Sequence, residues 1–264
     1  MDEDRTTKLT ARYDQEALAY RDLWAPILRV AGRGLLKELP GMPVQRILDV
    51  GAGVGSLLPD LRAMFPGASV LGVDRSRGML ALAPTELARA VMDATRLAMS
   101  SGSVDLVLLV FVLFHLENAA DGLREARRVL RRSGLVGVLT WARQLESRAM
   151  QIWDHCLDAH GADAADPAAL ARHDSFDAPE KLELLLRHAG FTDVRAWADE
   201  LVACIGLEHL LLLKTSMGSS RPRFQSLDPR GREACVADAR RRMEVLHPDD
   251  FVARGRVVYA VAGV

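Results

Sequence analysis

Short apolar segments alternate with amphipathic segments through the middle of the chain. The apolar segments are rich in Val and Leu and predict strands that are covered on both faces. These predicted strands are Val44–Val50, Ser69–Asp74, Ala90–Asp93, Val104–Leu113 and Leu135–Trp141. The intervening segments predict helices at Ser56–Phe65, Ser76–Leu87 and Ala119–Arg131. This alternation is typical of βα units around a doubly covered parallel sheet, which is an α/β fold.

The flanking segments predict helical additions and two more strands. Tyr13, Ala17 and Tyr20 recur at three- and four-residue steps, which predicts an amphipathic helix that is interrupted or bent at Pro26. Further along the chain, the pattern predicts a helix at Pro179–Ala189 and strands at Val194–Ile205 and Val257–Val261. We therefore expect an N-terminal helical lid over residues 1–43 and one α/β domain over residues 44–264. Helical insertions are expected at about 144–178 and 206–255.

Three alternate glycines lie where the first predicted strand meets the first predicted helix. The segment from Asp49 to Ser56 reads Asp-Val-Gly-Ala-Gly-Val-Gly-Ser. Glycine has no Cβ, so the backbone can turn tightly and approach a ligand at the N-terminus of a helix. The second predicted strand ends at Asp74, where a carboxylate is placed to accept both hydroxyls of a ribose. The pattern indicates a nucleotide-type site, with a plain tight turn as the alternative.

A second acid, Asp93, ends the third predicted strand. It is placed to accept from the exocyclic amine of an adenine while the amide of Ala94 meets a ring nitrogen. The alternative is that Asp93 only begins a turn. An NAD-linked oxidoreductase is disfavoured, because Ser56 stands where close helix packing needs Gly or Ala, and the chain lacks a Tyr-x-x-x-Lys pair.

These motifs, in this order, resemble those of class I S-adenosylmethionine (SAM)-dependent methyltransferases. Within that class the chain is most similar to the small-molecule enzymes related to ubiquinone and menaquinone biosynthesis, the methyltransferase type 11 group. The segments that carry the resemblance are Asp49–Gly55, Leu71–Leu80, Met92–Ala94, Asp105–Leu116 and Arg131–Gly134. The resemblance implies a Rossmann-like sheet of seven strands, in which strand seven inserts antiparallel between strands five and six.

The resemblance also implies which residues bind SAM. The glycine turn would face its methionyl part, Asp74 its ribose, and Asp93 with Ala94 its adenine edge, while Tyr13 and Tyr20 would close over it. The full implied set is Tyr13, Tyr20, Gly51, Ala52, Gly53, Asp74, Arg75, Met79, Asp93, Ala94 and Val110. Val110 would contact the amino-acid moiety through its backbone, and Arg75 and Met79 would surround the adenine.

The expected chemistry needs little from the protein beyond positioning. The methyl group of SAM is already activated on a sulfonium, so holding an acceptor in line behind it supplies much of the rate. A general base matters only for an acceptor that must lose a proton. His115 follows the fourth predicted strand and is the candidate catalytic base, with packing of the next helix as the alternative.

We expect methyl transfer to O or N, rather than C, of a small, partly apolar metabolite, with S-adenosylhomocysteine (SAH) as product. A SAM-binding protein with a non-methylating biosynthetic role stays open.

Composition and charge restrict the kinds of partner that the chain is expected to bind. The chain has 34 Lys and Arg against 35 Asp and Glu, a net charge of −1, so it has no overall field to attract nucleic acid or an anionic membrane. The apolar run Leu106–Phe114 is too short for a bilayer span, and the charged N-terminus is unlike a signal peptide. The three cysteines form no C-x-x-C pair, so no disulfide framework or metal cluster is indicated. We expect a cytoplasmic monomer or homodimer that uses no metal and binds a small-molecule acceptor, not nucleic acid or membrane.

Overall fold

The structure, a computed structural model, describes residues 2–39, 41, 43–86, 88–164 and 176–264. The chain divides into two compact units, of which the first comprises residues 1–142, 172–199 and 257–264 and the second residues 143–171 and 200–256. No helix among the described residues is long and apolar enough to cross a bilayer.

A mixed sheet of seven strands forms the framework of the fold. Its strands are β1 (Arg46–Val50), β2 (Ser69–Asp74), β3 (Ala88–Val91), β4 (Val104–Val110), β5 (Leu130–Glu146), β6 (Thr192–Cys204) and β7 (Val252–Gly263). Their spatial order is β3-β2-β1-β4-β5-β7-β6. The pairs β1–β2, β1–β4, β2–β3 and β4–β5 are parallel, whereas β7 is antiparallel beside β6. The implied α/β, Rossmann-like sheet and the place of its last strand are confirmed.

The helices of the described residues follow the sheet in chain order. They are α1 (Asp2–Ala19), α2 (Ala25–Lys37), α3 (Leu58–Met64), α4 (Arg77–Ala81), α5 (Ala119–Val129), α6 (Arg148–Ala159), α7 (Pro179–His188), α8 (Leu207–Ser216), α9 (Ser220–Ser226) and α10 (Pro229–Met243). A π-helical segment, Tyr20–Trp24, joins α1 to α2, and 3₁₀ turns lie at Leu113–His115 and Pro248–Phe251. The predicted interruption near Pro26 is this π-helical segment, in which the amide of Ala25 donates to the carbonyl of Tyr20. Pro26 has no N–H with which to continue the regular ladder.

The core of the first unit lies on both faces of the central strands. On one face Leu123 of α5 and Leu186 of α7 pack in the same buried cluster as Val107 of β4. On the other, the side chain of Leu35 in α2 covers Gly137 of β5, where an added Cβ would lie 3.3 Å from it. Strands covered in this way lack polar alternation, which is why their apolar runs were recognisable in the sequence.

Several element boundaries differ from the prediction. The helix predicted at Ser76–Leu87 ends at Ala81, and Pro84 follows shortly after it. The strand predicted at Val104–Leu113 ends at Val110, because Phe111 adopts a left-handed backbone conformation with φ 57°. The strand predicted at Leu135–Trp141 is the central part of the longer β5, whose polar ends carry no apolar signal. Part of the insertion predicted at 144–178, residues 165–175, lies outside the described residues.

The second unit contains α6, α8, α9 and α10. Trp153 and Cys156 of α6 and Cys235 of α10 are fully buried in it, and the carboxylate of Asp238 accepts a hydrogen bond from the Cys156 thiol over 3.6 Å. The consecutive arginines 240–242 of α10 form ion pairs within the unit, the first with Glu208 and the other two with Asp238. Each arginine of this basic run therefore has an acidic partner within the unit, although two of them share one carboxylate.

Candidate functional site

A cavity of about 350 Å³ opens in the first unit where the parallel strands end. Its walls come from the loops that follow β1, β2, β3 and β4 and from one face of α1. In open α/β sheets ligands bind at this carboxyl edge, and the volume is in the range of small-molecule sites. Every predicted cofactor residue except Ala52 lines the cavity, as does His115. Ala52 is buried, and its amide donates to the carbonyl of Val73.

The turn after β1 has a conformation that requires glycine. Gly51 and Gly53 have φ of 70° and 54°, a region that side chains with a Cβ rarely adopt. A Cβ on Gly51 would lie 2.4 Å from Cγ2 of Val112. The amide of Gly51 donates to the carbonyl of Val73 over 2.7 Å, which ties the turn to β2. The bare backbone of this turn is consequently available to a bound molecule.

Asp74 connects the glycine turn to the start of α4. One carboxylate oxygen accepts from the amide of Gly53 over 2.9 Å, and the other from the amide of Ser76 over 2.8 Å. Burial raises the pKa of Asp74, and these backbone donors oppose that rise. Each carboxylate oxygen can accept more than one hydrogen bond, so Asp74 positions the turn and can still receive hydroxyls. The hydrogen bond from Gly53 gives Asp74 a role in positioning the turn, beside the ribose binding that the resemblance implies.

Asp93 takes part in a turn and faces the cavity at the same time. One of its oxygens accepts from both the amide and the hydroxyl of Thr95, each over 2.8 Å. The other lies 3.5 Å from the guanidinium of Arg75. Asp93 therefore takes part in a turn, as one interpretation expected, and it lines the cavity beside Arg75, while its contact with an adenine stays a prediction.

The first helix is fastened to the cavity by a residue to which the sequence assigned no role. The carboxylate of Asp14 accepts from the hydroxyl of Ser76 over 2.6 Å and from the amide of Gly78 over 2.7 Å. A Cβ on Gly78 would lie 2.8 Å from the Cα of Asp14, so α1 and α4 are in close backbone contact. The resemblance implied a role for the neighbouring Tyr13, but no signal in the sequence named the partners of Asp14.

Tyr13 and His115 form a hydrogen-bonded pair inside the cavity. The Tyr13 hydroxyl lies 2.8 Å from Nε2 of His115, and the two rings meet edge to face with centroids 5.3 Å apart. Burial raises the pKa of Tyr13 to about 12, against the opposing charge of Arg12. The phenol therefore keeps its proton near neutral pH, and the His115 tautomer with its proton on Nδ1 accepts that proton in the hydrogen bond at Nε2.

An aromatic wall, defined as Phe111, Trp141 and Trp24, stands beside Val110. The Phe111 ring lies 4.8 Å from that of Trp141, which in turn stacks on Trp24 at 6.3 Å. Phe111 has positive φ although it is a bulky residue, and its amide donates to the carbonyl of Leu139 over 2.7 Å. No sequence signal points to this conformation, because phenylalanine is rarely found in it.

Asp49, two residues before the glycine turn, is buried and accepts no hydrogen bond from any residue that the structure describes. Burial, and secondarily the charge of Asp74, raise its pKa to about 7. A buried acid without a partner is costly when it is ionised, and a cationic ligand would compensate it. The glycine turn, Asp74 and Asp93 line the cavity and fit the implied SAM, which carries an ammonium and a ribose, whereas Asp49 lies outside the lining. Within the described parts of the chain, no group of three His, Cys, Asp or Glu could hold a metal ion.

Comparisons with known proteins agree with this geometry. The family described as "Methyltransferase domain" matches residues 48–138. A demethylmenaquinone methyltransferase of Beutenbergia cavernae is 38% identical over 109 residues, which are 40% of this chain and 45% of that protein. A demethylmenaquinone methyltransferase of Roseiflexus castenholzii is 30% identical over 163 residues, 56% of this chain and 68% of that protein.

The fold comparison extends over nearly the whole chain. A solved structure of a Haemonchus contortus phosphoethanolamine N-methyltransferase in complex with S-adenosylhomocysteine matches with a TM-score of 0.53 and 19% identity. The match covers 95% of this chain and 57% of that one. The chain spans about half the length of several curated relatives that it matches.

Proposed function

Because the chain belongs to the family of SAM-dependent methyltransferase-domain proteins, we propose that it transfers the methyl group of SAM to an oxygen or nitrogen of a small, partly apolar metabolite. The observation that carries this proposal is the convergence of three elements in one cavity. They are the bare glycine turn, the ribose-type carboxylate of Asp74, and the Tyr13–His115 pair. SAH is the second product.

We assign different residues of the site to different parts of SAM. The turn at Gly51 and Gly53 and the buried carboxyl of Asp49 suit its methionyl end, which carries a positive charge. Asp74 suits the ribose hydroxyls, and Asp93 with the amide of Ala94 suits the adenine edge. Bound SAM supplies an activated methyl group.

The protein then has to hold the acceptor and take its proton. We assign the proton to His115, whose Nε2 lies 2.8 Å from the Tyr13 hydroxyl and, in the tautomer with its proton on Nδ1, can take a proton as a base. An acceptor hydroxyl that donates to the Tyr13 oxygen can lose its proton as the Tyr13 proton moves to Nε2. This leaves a neutral phenol and an imidazolium. The lid over residues 1–43 and the insertion over 206–255 are proposed to select the acceptor, and the monomeric or homodimeric state stays a prediction.

Calorimetry with SAM, SAH and NADH tests the cofactor assignment. We expect SAM and SAH to bind the wild-type chain, and Asp74→Asn to weaken both by at least about tenfold, because it places an amide donor against backbone donors and hydroxyls. Asp22→Asn, at an exposed aspartate that pairs with the neighbouring Arg21, is the matched control. Binding of NADH without any response to SAM or SAH would refute the assignment.

Mass spectrometry tests methyl transfer itself. The protein, SAM and a metabolite panel should yield a product heavier by one methylene. His115→Gln should reduce its rate by about 10²-fold or more, the usual contribution of a general base, while SAH affinity is retained. If SAM binds and no panel member gains mass, the non-methylating alternative is favoured.

A further inference from the structure

We propose that Tyr20 recognises the carboxylate at the amino-acid end of the cofactor, through a hydrogen bond that its phenol hydroxyl donates. This inference rests on the proposed function and adds a specificity-determining residue to the same site. It follows from three observations: the position of the Tyr20 ring, a hydroxyl without a partner among the described residues, and the engagement of the other donors nearby.

Tyr20 lies over the glycine turn, to which the amino-acid end of SAM is assigned. Its side chain lines the cavity, and a Cβ on Gly53 would lie 3.9 Å from its Cε1 atom. Tyr20 is the first residue of the π-helical segment Tyr20–Trp24, and short π-helical turns are frequent at functional sites. Its ring meets that of Tyr13 edge to face, with the centroids 6.1 Å apart. Tyr20 therefore belongs to the end of the cavity that holds the glycine turn and the Tyr13–His115 pair.

The Tyr20 hydroxyl is a donor that the chain itself does not use. It makes no hydrogen bond to any residue that the structure describes. Burial raises the pKa of Tyr20, and nearby negative charges add to the rise. The phenol therefore keeps its proton at neutral pH and has a hydrogen to donate. A hydrogen bond from a hydroxyl to a carboxylate is charge-assisted and roughly twice as strong as one between neutral groups.

The other hydroxyls of the described cavity lining are either engaged or distant. Those that are hydrogen-bonded within the chain belong to Thr10, Tyr13, Ser76 and Thr95. The remaining one, that of Thr6, lies on α1 about four helical turns before Tyr20, a distance of about 20 Å along the helix. At the glycine turn, the described lining therefore offers an unbonded hydroxyl at Tyr20.

The other groups that commonly hold a carboxylate are also engaged. The amides of Gly51 and Gly53 donate to a carbonyl of β2 and to Asp74. The turn lets a ligand come close because it lacks Cβ atoms, but each of these amides has already donated its single hydrogen. The arginine of the described lining, Arg75, lies 3.5 Å from a carboxylate at the adenine end. Neither these amides nor Arg75 is free to hold a carboxylate, which leaves this role to the Tyr20 hydroxyl.

Calorimetry with SAH and with its decarboxylated analogue, which lacks only the carboxylate, tests the assignment. Tyr20→Phe removes the hydroxyl and keeps the ring. We expect it to weaken SAH binding by about tenfold or more, the scale of a lost hydrogen bond to a charged group, and to change the affinity of the analogue by less than about twofold. Each ligand is compared with itself across the two proteins, so other differences between the ligands cancel. Tyr259→Phe, at a buried tyrosine outside the cavity lining, is the matched control and should change neither affinity.

Two results would overturn the inference. One is equal weakening of both ligands by Tyr20→Phe, which a merely structural role would produce, and the other is an unchanged affinity for SAH. A measurement on the wild type does not depend on any variant: NMR of bound, isotope-labelled SAH should show contacts between the ring protons of Tyr20 and the α proton of the amino-acid end. Contacts of this ring with the adenine protons instead would contradict the assignment. If SAH does not bind the wild type, the proposed function fails. If SAH binds and its carboxylate does not respond to Tyr20, only this inference fails.

Discussion

The buried carboxyl of Asp49 predicts that binding of SAM releases a proton. Asp49 is 5% exposed, and burial, with the charge of Asp74, raises its pKa from 3.8 to about 7. About half of the unbound protein therefore holds Asp49 as a neutral acid at pH 7. A bound cation favours the ionised carboxylate and lowers its pKa. The affinity for SAM should consequently rise as the pH increases from about 6 to 8.

The same pKa determines a stability effect. Because the folded pKa of Asp49 lies above the unfolded one, the stability linked to its proton is fully present below about pH 3.8 and is lost as the pH rises through about 7. A rise from 3.8 to about 7 corresponds to about 4 kcal/mol of unfolding free energy. Relaxation and water entry reduce this in practice. We expect Asp49→Asn, which cannot ionise, to exceed the wild type by about 1–3 kcal/mol at pH 8 and to match it near pH 4.

Two measurements check this reasoning. Calorimetric titration of SAM in two buffers with different ionisation enthalpies gives the number of protons released. The wild type should release about half a proton at pH 7 and less at pH 8, and Asp49→Asn should release none. Urea denaturation at pH 4, 6 and 8 gives the unfolding free energies. Equal proton release by both proteins, or a variant that is less stable than the wild type at pH 8, would refute the assignment of the proton to Asp49.

Three further predictions concern the residues that shape and support the site. Gly51→Ala should abolish SAH binding in calorimetry and lower the melting temperature, because its Cβ would lie 2.4 Å from a Val112 methyl at positive φ, whereas Gly67→Ala, which meets nothing within 4 Å, should change neither. Asp14→Ala should cost about 1–3 kcal/mol in urea unfolding and speed hydrogen exchange in α1, since it removes two hydrogen bonds to α4; unchanged exchange would contradict this. Burial alone would raise the pKa of Asp105. The backbone amides and the guanidinium that donate hydrogen bonds to its carboxylate hold the pKa below its usual value. Its stabilisation should therefore be present above about pH 4 and lost on acidification, and Asp105→Asn should flatten that acid limb.

The parts of the fold that the sequence could predict are those with local signals. The strand β2 was predicted with its observed limits, since Ser69–Asp74 is a short, mostly apolar run ended by an acid. Ser and Asn are preferred at helix N-caps, and the side chains of Ser76 and Asn118 each accept from an amide two or three residues later. The polar ends of β5 were not, because residues outside the buried segment give no apolar periodicity.

The same distinction separates the two ends of the site. At its cofactor end the glycine turn is built from consecutive residues, and Asp74 and Asp93 lie at the ends of neighbouring strands, so the order of the βα units brings these groups together. Its acceptor end depends on contacts between distant positions. Tyr13 meets His115 across 102 residues, and Phe111 reaches Trp141 only through a conformation that its residue type disfavours. Because no local pattern encodes such contacts, the sequence predicts which cofactor is bound, whereas the charge and shape of the acceptor have to be inferred from the folded cavity.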